Sequence, residues 1–230
     1  MTDRDIRTPA NVPVRFATLA TVIVLVVAEP VCAVGPNNAL NDTGIDLFGD
    51  NSGNNLTAEP STHPRQDASQ GRDAAAKAGT LVKVGGGSKG FDFTKIANIG
   101  SALPPNAKLG YGPTDWGCTQ DNVTGLTWEV KVNDATHLRH LGWTYTWYNS
   151  NVSVNGGDAG TLSGGTCKTA GRCDIEKFVA DINAAGLCGH SDWRMPTGKE
   201  LHTLVDLAIA YPGPTVDTAY VPNIGSAASF

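Results

Sequence analysis

Cysteine is the most reactive side chain in this sequence, and its positions are the first indication of chemistry. Four of the five cysteines lie in the second half of the chain: Cys118, Cys167, Cys173 and Cys188. The fifth, Cys32, lies in a predicted signal peptide described below, and its removal leaves an even number of thiols. In an exported chain an even number indicates disulfides, whereas a zinc site needs closer spacing than Cys167 and Cys173 have. Counting alone leaves three pairings open. The small glycine-containing loop between Cys167 and Cys173 favours local closure, which predicts a long-range Cys118–Cys188 bond.

Histidine could bind a metal ion, and four histidines follow Cys118: His137, His140, His190 and His202. The two nearest, His137 and His140, lie three residues apart in a segment without a helix pattern. That spacing favours solvated or structural histidines over metal ligands. The sequence therefore predicts no metal site and no cofactor.

Carboxylates could act as a general acid and base, and three surround a predicted helix start: Asp192, Glu200 and Asp206. Capping and pairing with Arg194 explain these positions, and two carboxylates suggest a glycosidase only when their separation is known. There is no Gly-x-Ser-x-Gly elbow and no cysteine with an evident histidine partner. The sequence thus contains no residue to which catalysis can be assigned.

Aromatic side chains are concentrated in a short run that reads as an extended strand, residues 144–148, with Trp143 just before it. Core packing is the default interpretation, since aromatic residues dominate the cores of small domains. The same residues could instead stack against a sugar. The candidate ligand-binding residues are therefore Trp143, Tyr145, Trp147 and Tyr148.

Two helices are predicted on either side of a short connector. The first spans residues 174–185, with Asp174 as N-cap, Gly186 as a left-handed stop, and apolar residues at helical spacing: Ile175, Phe178, Val179 and Ile182. The second begins after Pro196, where Thr197 and Glu200 can form a capping box. Its apolar face would comprise Leu201, Leu204, Val205 and Ala208, and the prolines of residues 211–214 would end it.

Residues 123–132 alternate like a half-buried strand. The alternation predicts that Leu126, Trp128 and Val130 point inward and that Thr127, Glu129 and Lys131 point outward. Asp121 and Asn122 ahead of them are good turn formers. Residues 149–171 form a long Gly, Ser, Asn and Thr loop, a length that indicates a functional or a disordered segment.

The connector and its flanks resemble the Lcl C-terminal domain family, named after a collagen-like bacterial adhesin. The resemblance rests on Leu-Cys-Gly-x-Ser-Asp-Trp-Arg-Met-Pro-Thr-x-x-Glu-Leu at residues 187–201 and on the Phe-Val-x-x-Ile-Asn-Ala-Ala-Gly block before it, residues 178–186. It extends to residues 118–131 and 143–149. Its structural motif comprises Asp192, Trp193, Arg194, Pro196, Thr197 and Glu200. Met195 stands where the family more often has Leu.

This resemblance implies an α+β domain of C-type lectin-like fold, with two helices packed on a small antiparallel sheet. Formylglycine-generating enzymes share that fold and a similar Arg-Leu-Pro-Thr-x-x-Glu segment, but their reactive cysteine pair has no counterpart here, and a fold does not transfer catalysis. Relatives typically continue into Trp- and Ser-rich strands. We therefore expect the domain, residues 91–230, to be incomplete.

The first ninety residues have a different composition. Arginines precede the apolar run of residues 16–28, and Val31-Cys32-Ala33 matches a signal peptidase site, which predicts a cleaved signal peptide over residues 1–33 and no stable membrane span afterwards. Residues 34–90 are rich in Asn, Asp, Gly, Ala and Ser, a composition that predicts a disordered linker. The glycines of residues 85–90 indicate a flexible hinge rather than a phosphate loop.

The net charge and the composition restrict the classes of ligand that this protein is expected to bind. The chain has 17 Lys and Arg against 22 Asp and Glu, a net charge of −5, which disfavours nucleic acid. We expect a secreted, periplasmic or cell-surface, non-catalytic module that binds a glycan or an extracellular protein. From residue 113 onward there are seven Lys and Arg against twelve Asp and Glu, which disfavours sulfated polyanions. The alternative is an enzyme of the formylglycine-generating type or a hydrolase. The sequence does not indicate an oligomeric state.

Overall fold

The computed structural model describes residues 26–28, 40–210 and 212–224, which contain an antiparallel sheet flanked by short helices. The strands are β1 (Val26–Ala28), β2 (Phe93–Ala97), β3 (Ala102–Leu103), β4 (Trp116–Asp121) and β5 (Leu126–Glu129). The helices are α1 (Gly71–Lys77), α2 (Ile175–Ala185) and α3 (Gly198–His202), with 3₁₀ turns at Asp67–Ser69 and Leu187–Gly189. The sheet order is β1-β5-β4-β2-β3. This architecture agrees with the predicted α+β class.

The central strands β2 and β4 pair with one irregularity. Ile96 pairs with Cys118, but the next residue, Ala97, pairs with Trp116, so Gly117 is left over. A bulge of this kind turns the following side chain to the other face of the sheet. Cys118 accordingly packs with α2, while the Trp116 ring lies 3.9 Å from the Lys95 ammonium on the opposite face.

The predicted turn between β4 and β5 is confirmed. The Asp121 carboxylate accepts the backbone N–H of Val123 at 2.9 Å, and the Asp121 carbonyl accepts that of Gly125 at 2.8 Å. Gly125 has a φ of 75°, a left-handed conformation that glycine adopts without strain.

Strand β5 differs from the prediction of one inward and one outward face. Thr127, Glu129 and Lys131 were expected to face solvent, yet all three are buried. The reason is that α2 covers this side of the sheet, with the Phe178 ring 4.2 Å from the Lys131 ammonium. That ammonium also lies 3.0 Å from the Glu129 carboxylate, so the buried charge is paired.

Helix α2 confirms the prediction for residues 174–185. The Asp174 side chain accepts the N–H of Lys177, and Gly186 ends the helix in a left-handed conformation. Ile175, Phe178 and Ile182 are buried in one apolar cluster with side chains of the sheet and the connector.

Helix α3 begins as predicted and ends early. The capping box between Thr197 and Glu200 is present, but the helix stops at His202 rather than near residue 210. The backbone beyond it takes tertiary partners instead: the N–H of Asp206 binds the Thr215 carbonyl and that of Leu207 the Thr43 carbonyl, both at 2.8 Å. Tyr211, in the predicted stop signal, lies outside the described residues.

Both predicted disulfides are present. Cys118 is bonded to Cys188 across 70 residues of sequence, and Cys167 to Cys173 across six. The long-range bond ties β4 to the turn that follows α2. The short bond closes the end of the long loop just before α2 begins.

The face of the sheet opposite α2 carries a second apolar cluster. Its buried members are Phe91, Phe93, Leu126, Trp128, Leu204, Val216, Tyr220 and Val221. These side chains come from the sheet and from the chain after α3. Residues 40–90 are joined to the sheet by long-range hydrogen bonds. One example is the bond of 2.6 Å from the Asn41 amide to the carboxylate of Asp121, at the end of β4.

The prediction of a disordered linker is therefore corrected for residues 40–90. The segment contains α1 and the buried side chains Phe48, Ala68 and Asp73. The predicted hinge at residues 85–90 is also packed, because Gly86 pairs with Phe93 and the Gly90 N–H binds Asp73. Composition missed this because the segment is held by single polar side chains, which leave no periodic pattern.

The predicted signal peptide lies outside the described residues except for β1. Val26–Ala28 pairs antiparallel with β5, opposite Leu126, Thr127 and Trp128. No helix within residues 40–210 or 212–224 is long and apolar enough to cross a membrane.

Candidate functional site

Two of the four aromatic residues predicted to bind a ligand belong to the core. Tyr145 is buried, its ring centroid 4.5 Å from that of Phe178, and burial raises the pKa of its hydroxyl. Trp143 is half-buried against the same cluster, and its indole N–H donates to the His137 carbonyl at 2.8 Å. The core interpretation holds for these two residues.

The other two aromatic residues reach the surface. Trp147 is 56% exposed and Tyr148 is half-buried, where the extended segment leaves the core beside the start of α2. The segment is held by bridges from Thr146 to Asp174 and from Tyr148 to Gly160. Because these bridges fix the backbone on both sides of Trp147, its large side chain is exposed on an ordered support.

Trp147 and Tyr148 border a cleft of about 340 Å³. The first turns of α2 form one wall, and residues 187–201, the stretch that carries the family resemblance and is here called the signature segment, form another. Besides Trp147 and Tyr148, the lining residues are Asn149, Ile175, Glu176, Val179, Arg194 and Met195. The structure thus brings two sequence blocks together that lie about fifty residues apart in the chain. A cleft of this size is within the usual range for small-ligand sites.

The start of α2 is fixed by Asp174. Its carboxylate accepts the Lys177 N–H at 2.9 Å and the Lys177 ammonium at 2.6 Å, and it also accepts the Ser163 hydroxyl at 3.0 Å. Burial acts to raise the pKa of Asp174, but the hydrogen bonds from Lys177 and Ser163 outweigh it and lower that pKa. The carboxylate therefore stays ionised and holds the wall of the cleft in place.

Among the described residues that line the cleft, Arg194 is the one cation, and it is paired. Its guanidinium binds the Glu200 carboxylate with two bonds, of 2.6 and 3.0 Å. The same carboxylate accepts the Thr197 N–H at 2.7 Å. The Arg194 hydrogen bond, with those from Thr197, lowers the pKa of Glu200 to about 2. The cleft therefore offers hydrogen-bonding groups with little free positive charge.

The signature segment is anchored to α2 through a residue that the sequence interpretation missed. The Asn183 amide accepts the Trp193 N–H at 2.7 Å and donates to the Trp193 carbonyl at 2.9 Å, like the partner strand of a sheet. The buried Trp193 indole donates to the Leu187 carbonyl. Asn183 lies in the Phe-Val-x-x-Ile-Asn block of the family pattern, which was the available signal.

The remaining carboxylates of the motif region have separate partners. Asp192 lies 3.6 Å from the His190 ring, and Asp206 is buried 3.2 Å from the Lys89 ammonium rather than beside Arg194. The predicted pairing with Arg194 therefore holds for Glu200 and is wrong for Asp206. Lys89 lies in the segment predicted to be disordered, which is why the sequence did not indicate this pair.

The long loop of residues 149–171 is ordered by short polar contacts. Glu176 on α2 accepts the Ser150 N–H at 2.7 Å, and the Asn149 N–H binds the Ala159 carbonyl at 2.8 Å. Asn and Asp side chains within the loop bind the N–H two residues ahead, which stabilises tight turns. The loop thus forms a fixed rim next to Trp147.

A second polar group, buried beneath α2, also escaped prediction. Arg139 is almost fully buried and donates to the carbonyls of Gly117 and Val130 at 2.8 and 2.6 Å. Burial lowers the pKa of both Arg139 and Lys131. Arg139 satisfies these backbone carbonyls and Lys131 forms an ion pair with Glu129 inside the fold, so the role of both side chains is structural.

Metal binding has no geometric basis within residues 40–210 and 212–224, where no group of three or more His, Cys, Asp or Glu side chains is placed to hold an ion. His137 stacks on Tyr111, and His140 contacts the edge of Trp143.

Comparison with known proteins identifies a family for the second half of the chain. Residues 117–229 match the family model of the Lcl C-terminal domain. No curated protein and no solved structure matches the chain. The C-type lectin-like fold consequently stays a prediction. The matched residues contain β4 from Gly117 onward, β5, both disulfides, α2, the signature segment and α3, and residues 117–229 belong to the Lcl C-terminal domain family.

Proposed function

We propose that this protein is an exported, non-catalytic binding module and that the Trp147–Tyr148 cleft recognises a neutral glycan. Membership in a family named after an adhesin suggests an adhesion-like module. The observation that carries the finer proposal is the exposed Trp147 ring on an ordered support, next to Tyr148 and a rim of polar groups. A protein ligand is the second candidate, because Trp and Tyr are also common in protein interfaces.

The chemistry of the cleft suits a sugar. The flat face of an aromatic ring packs against the apolar C–H face of a pyranose, and hydroxyl groups need nearby donors and acceptors. Asn149, Glu176 and Arg194 supply those groups around Trp147 and Tyr148. Tryptophan and tyrosine are enriched at binding interfaces because each combines a large apolar surface with a polar group, which supports a binding role.

Charge favours a neutral ligand over a sulfated one. A polyanion site needs clustered cations. Arg194 is neutralised by Glu200, and the acidic residue Glu176 lies in the same cleft. The Lys177 ammonium lies 5.7 Å from the Tyr148 ring, and it is paired with Asp174.

An extracellular location fits the disulfides. The two bonds would persist in an oxidising compartment and not in a reducing cytosol. Together with the predicted signal peptide, they support secretion, the periplasm or the cell surface.

The competing proposal is an enzyme of the formylglycine-generating type or a hydrolase. The thiol-dependent version needs a reactive cysteine, and the four cysteines after residue 100 are all oxidised. Titration of free thiols in the secreted protein tests this version directly. One or more reactive thiols per chain would favour the enzyme.

The test of the binding proposal is an array of neutral glycans, sulfated glycans and extracellular-matrix proteins, probed with the full chain. We expect binding to neutral glycans, and Trp147→Ala should weaken it about tenfold or more, the loss typical of a central aromatic anchor. Leu207→Ala is the matched control, since Leu207 is 59% exposed and lies outside the cleft. Absence of binding by the folded chain, or equal binding by both variants, would contradict the proposed site.

A further inference from the structure

A second aromatic side chain stands on the surface away from the Trp147–Tyr148 cleft. Tyr111 is 59% exposed, in the loop that leads into β4. Its ring stacks on that of His137, with the centroids 5.2 Å apart and the planes 22° from parallel. One face of the Tyr111 ring is thus supported, and the other is left for a ligand. We call this stacked pair, Tyr111 and His137, the Tyr111 platform.

The backbone that carries Tyr111 is held from both sides. The Asn98 amide donates to the carbonyls of Gly110 and Gly112, at 3.1 and 2.9 Å. The buried Arg139 guanidinium donates to Asn98 and to the Gly110 carbonyl. The ring is therefore presented by an ordered loop, and a ligand would not have to pay the entropy of ordering it.

Two cavities meet at the platform. A larger one, about 580 Å³, lies between Tyr111 and residues 132–135 and is also lined by Asn223. A smaller one, about 210 Å³, lies between Tyr111, His137 and the end of α2. Asn133 and Asp134 line the larger cavity and place an amide and a carboxylate beside the ring. Flat aromatic surface next to such groups is the composition that binds a pyranose.

Asp134 and His137, which line the platform, carry negative or no charge, and Lys168, whose charge also acts on His137, does not line either cavity. Thr136 donates its hydroxyl and N–H to Asp134, which lowers the pKa of that carboxyl and keeps it ionised. The Nδ1 atom of His137 accepts the backbone N–H of Arg139, as a neutral ring does, and burial together with the charges of Arg139 and Lys168 lowers the His137 pKa.

Arg139 is the one cation among the described residues that line the two cavities. Its charge is directed at the carbonyls of Gly117 and Val130 inside the fold. The lining therefore offers little free positive charge to a sulfate or a phosphate.

We propose that the Tyr111 platform is a second carbohydrate subsite, which takes one neutral pyranose unit against the free face of Tyr111 with Asp134 and Asn133 binding its hydroxyls. The inference rests on the proposed function and extends it by a second site. It shares the ligand class of the Trp147–Tyr148 cleft and uses none of its residues.

The two sites lie along one helix. The first turns of α2 line the Trp147–Tyr148 cleft, through Ile175 and Val179, and its last turns line the smaller cavity at Tyr111, through Ile182 and Ala185. Two weak sites on one rigid element would bind a polymeric glycan more tightly than either site binds a single sugar.

The test is NMR titration of the folded full chain with the methyl glycosides of mannose, glucose and galactose, and with galactose 6-sulfate as the anionic counterpart. The readouts are the ring protons of Tyr111 and His137 and the indole N–H of Trp147. We expect at least one neutral glycoside to shift the Tyr111 and His137 signals. Tyr111→Ala should weaken the sugar affinity that the His137 ring protons report by about fivefold. Tyr111→Phe keeps the stacking face and should weaken that affinity by less than about twofold.

Two control variants separate this inference from the proposed function. Ile99→Ala, at an equally exposed apolar residue outside both cavities, should leave the response unchanged. Trp147→Ala should leave the response of the Tyr111 and His137 ring protons unchanged. If neutral sugars shift Trp147 and never Tyr111, the second subsite is wrong and the proposed function stands. Shifts at neither site would overturn both proposals, and preference for the sulfated sugar would overturn the neutral class.

Discussion

The two faces of the sheet are covered in different ways. On one face an amphipathic helix, α2, packs regular apolar side chains against Ile96 of β2 and Cys118 of β4, and the Cys118–Cys188 bond secures it. The chain after α3 packs on the other face, and residues 40–90 are held by hydrogen bonds of single polar side chains, such as that between Asn41 and Asp121 at the end of β4. Asp73 is the clearest case, since it is buried and accepts the N–H groups of Gly44 and Gly90, both at 2.7 Å.

This difference shows how an irregular segment such as residues 40–90 can be ordered without regular secondary structure. A helix satisfies its own backbone, whereas a loop packed on a protein must find a partner for each buried N–H. Asp42, Asp73 and Asp92 supply such partners: Asp42 binds the Asp73 N–H, and Asp92 binds those of Val84 and Gly85. A composition that indicates disorder can therefore describe a folded segment when its carboxylates are aimed at backbone groups.

The largest effect is expected on the α2 face. Replacing Cys118 and Cys188 together with Ala should lower the free energy of unfolding by about 4 kcal/mol, because the bond closes a long loop in the unfolded chain. Replacing Cys167 and Cys173 is the matched control and should cost about 2 kcal/mol, since that loop is short. Denaturant unfolding of both double variants measures the difference. Equal losses would contradict the idea that the long-range bond is what secures α2.

A smaller effect is expected on the other face. Asp73→Ala leaves two buried N–H groups without partners, which should lower the free energy of unfolding by about 3 kcal/mol. Burial is the main cause that raises the pKa of this carboxyl, so part of the loss is offset by no longer burying the acid. Hydrogen exchange at the Gly44 and Gly90 amides should accelerate more than exchange in α2.

The control for Asp73 is Asp158→Ala. Asp158 is exposed and binds one loop N–H, that of Gly160, at 2.8 Å. Its replacement should cost less than about 1 kcal/mol, as for a hydrogen bond in contact with water. If Asp73→Ala and Asp158→Ala lower the free energy of unfolding by the same amount, residues 40–90 are not held by Asp73 in the way we infer.

The smallest effect concerns the junction between the signature segment and α3. Glu200→Gln should lower the free energy of unfolding at neutral pH by about 1 kcal/mol, after allowance for solvent screening of the half-exposed Arg194. The folded pKa of Glu200, about 2, is below its ordinary value of 4.5, so the stabilisation is complete above 4.5 and is lost as pH falls towards 2. Denaturant unfolding of wild type and variant at several pH values should show their unfolding free energies converging as the pH falls towards 2.

Asp192→Asn is the control for the Glu200 measurement. Asp192 belongs to the same motif but is 61% exposed and lies 3.6 Å from the His190 ring. Its replacement should change the unfolding free energy by less than about 0.5 kcal/mol. A pH-independent difference between Glu200→Gln and wild type would show that the Arg194 pair is not its source.

The sequence by itself determined the features whose interactions are local. The cap, the apolar stripe and the glycine stop of α2 each depend on residues no more than four apart in the chain, and so does the capping box of Thr197 and Glu200. The disulfide pairing followed from one short loop that could close on itself, and the α+β class followed from the family resemblance. Of the candidate site, the sequence singled out Trp147, Tyr148 and Arg194 but placed them in separate blocks.

Only the tertiary structure decided what lies far apart in the chain. Asn41 binds Asp121 and Thr203 across 80 and 162 residues, and no local pattern encodes such contacts. The second buried face of β5, the early end of α3 and the meeting of Trp147 with Arg194 have the same origin. In each case a distant segment supplied the partner, and the free energy of that contact outweighed the local preference of the residues it met.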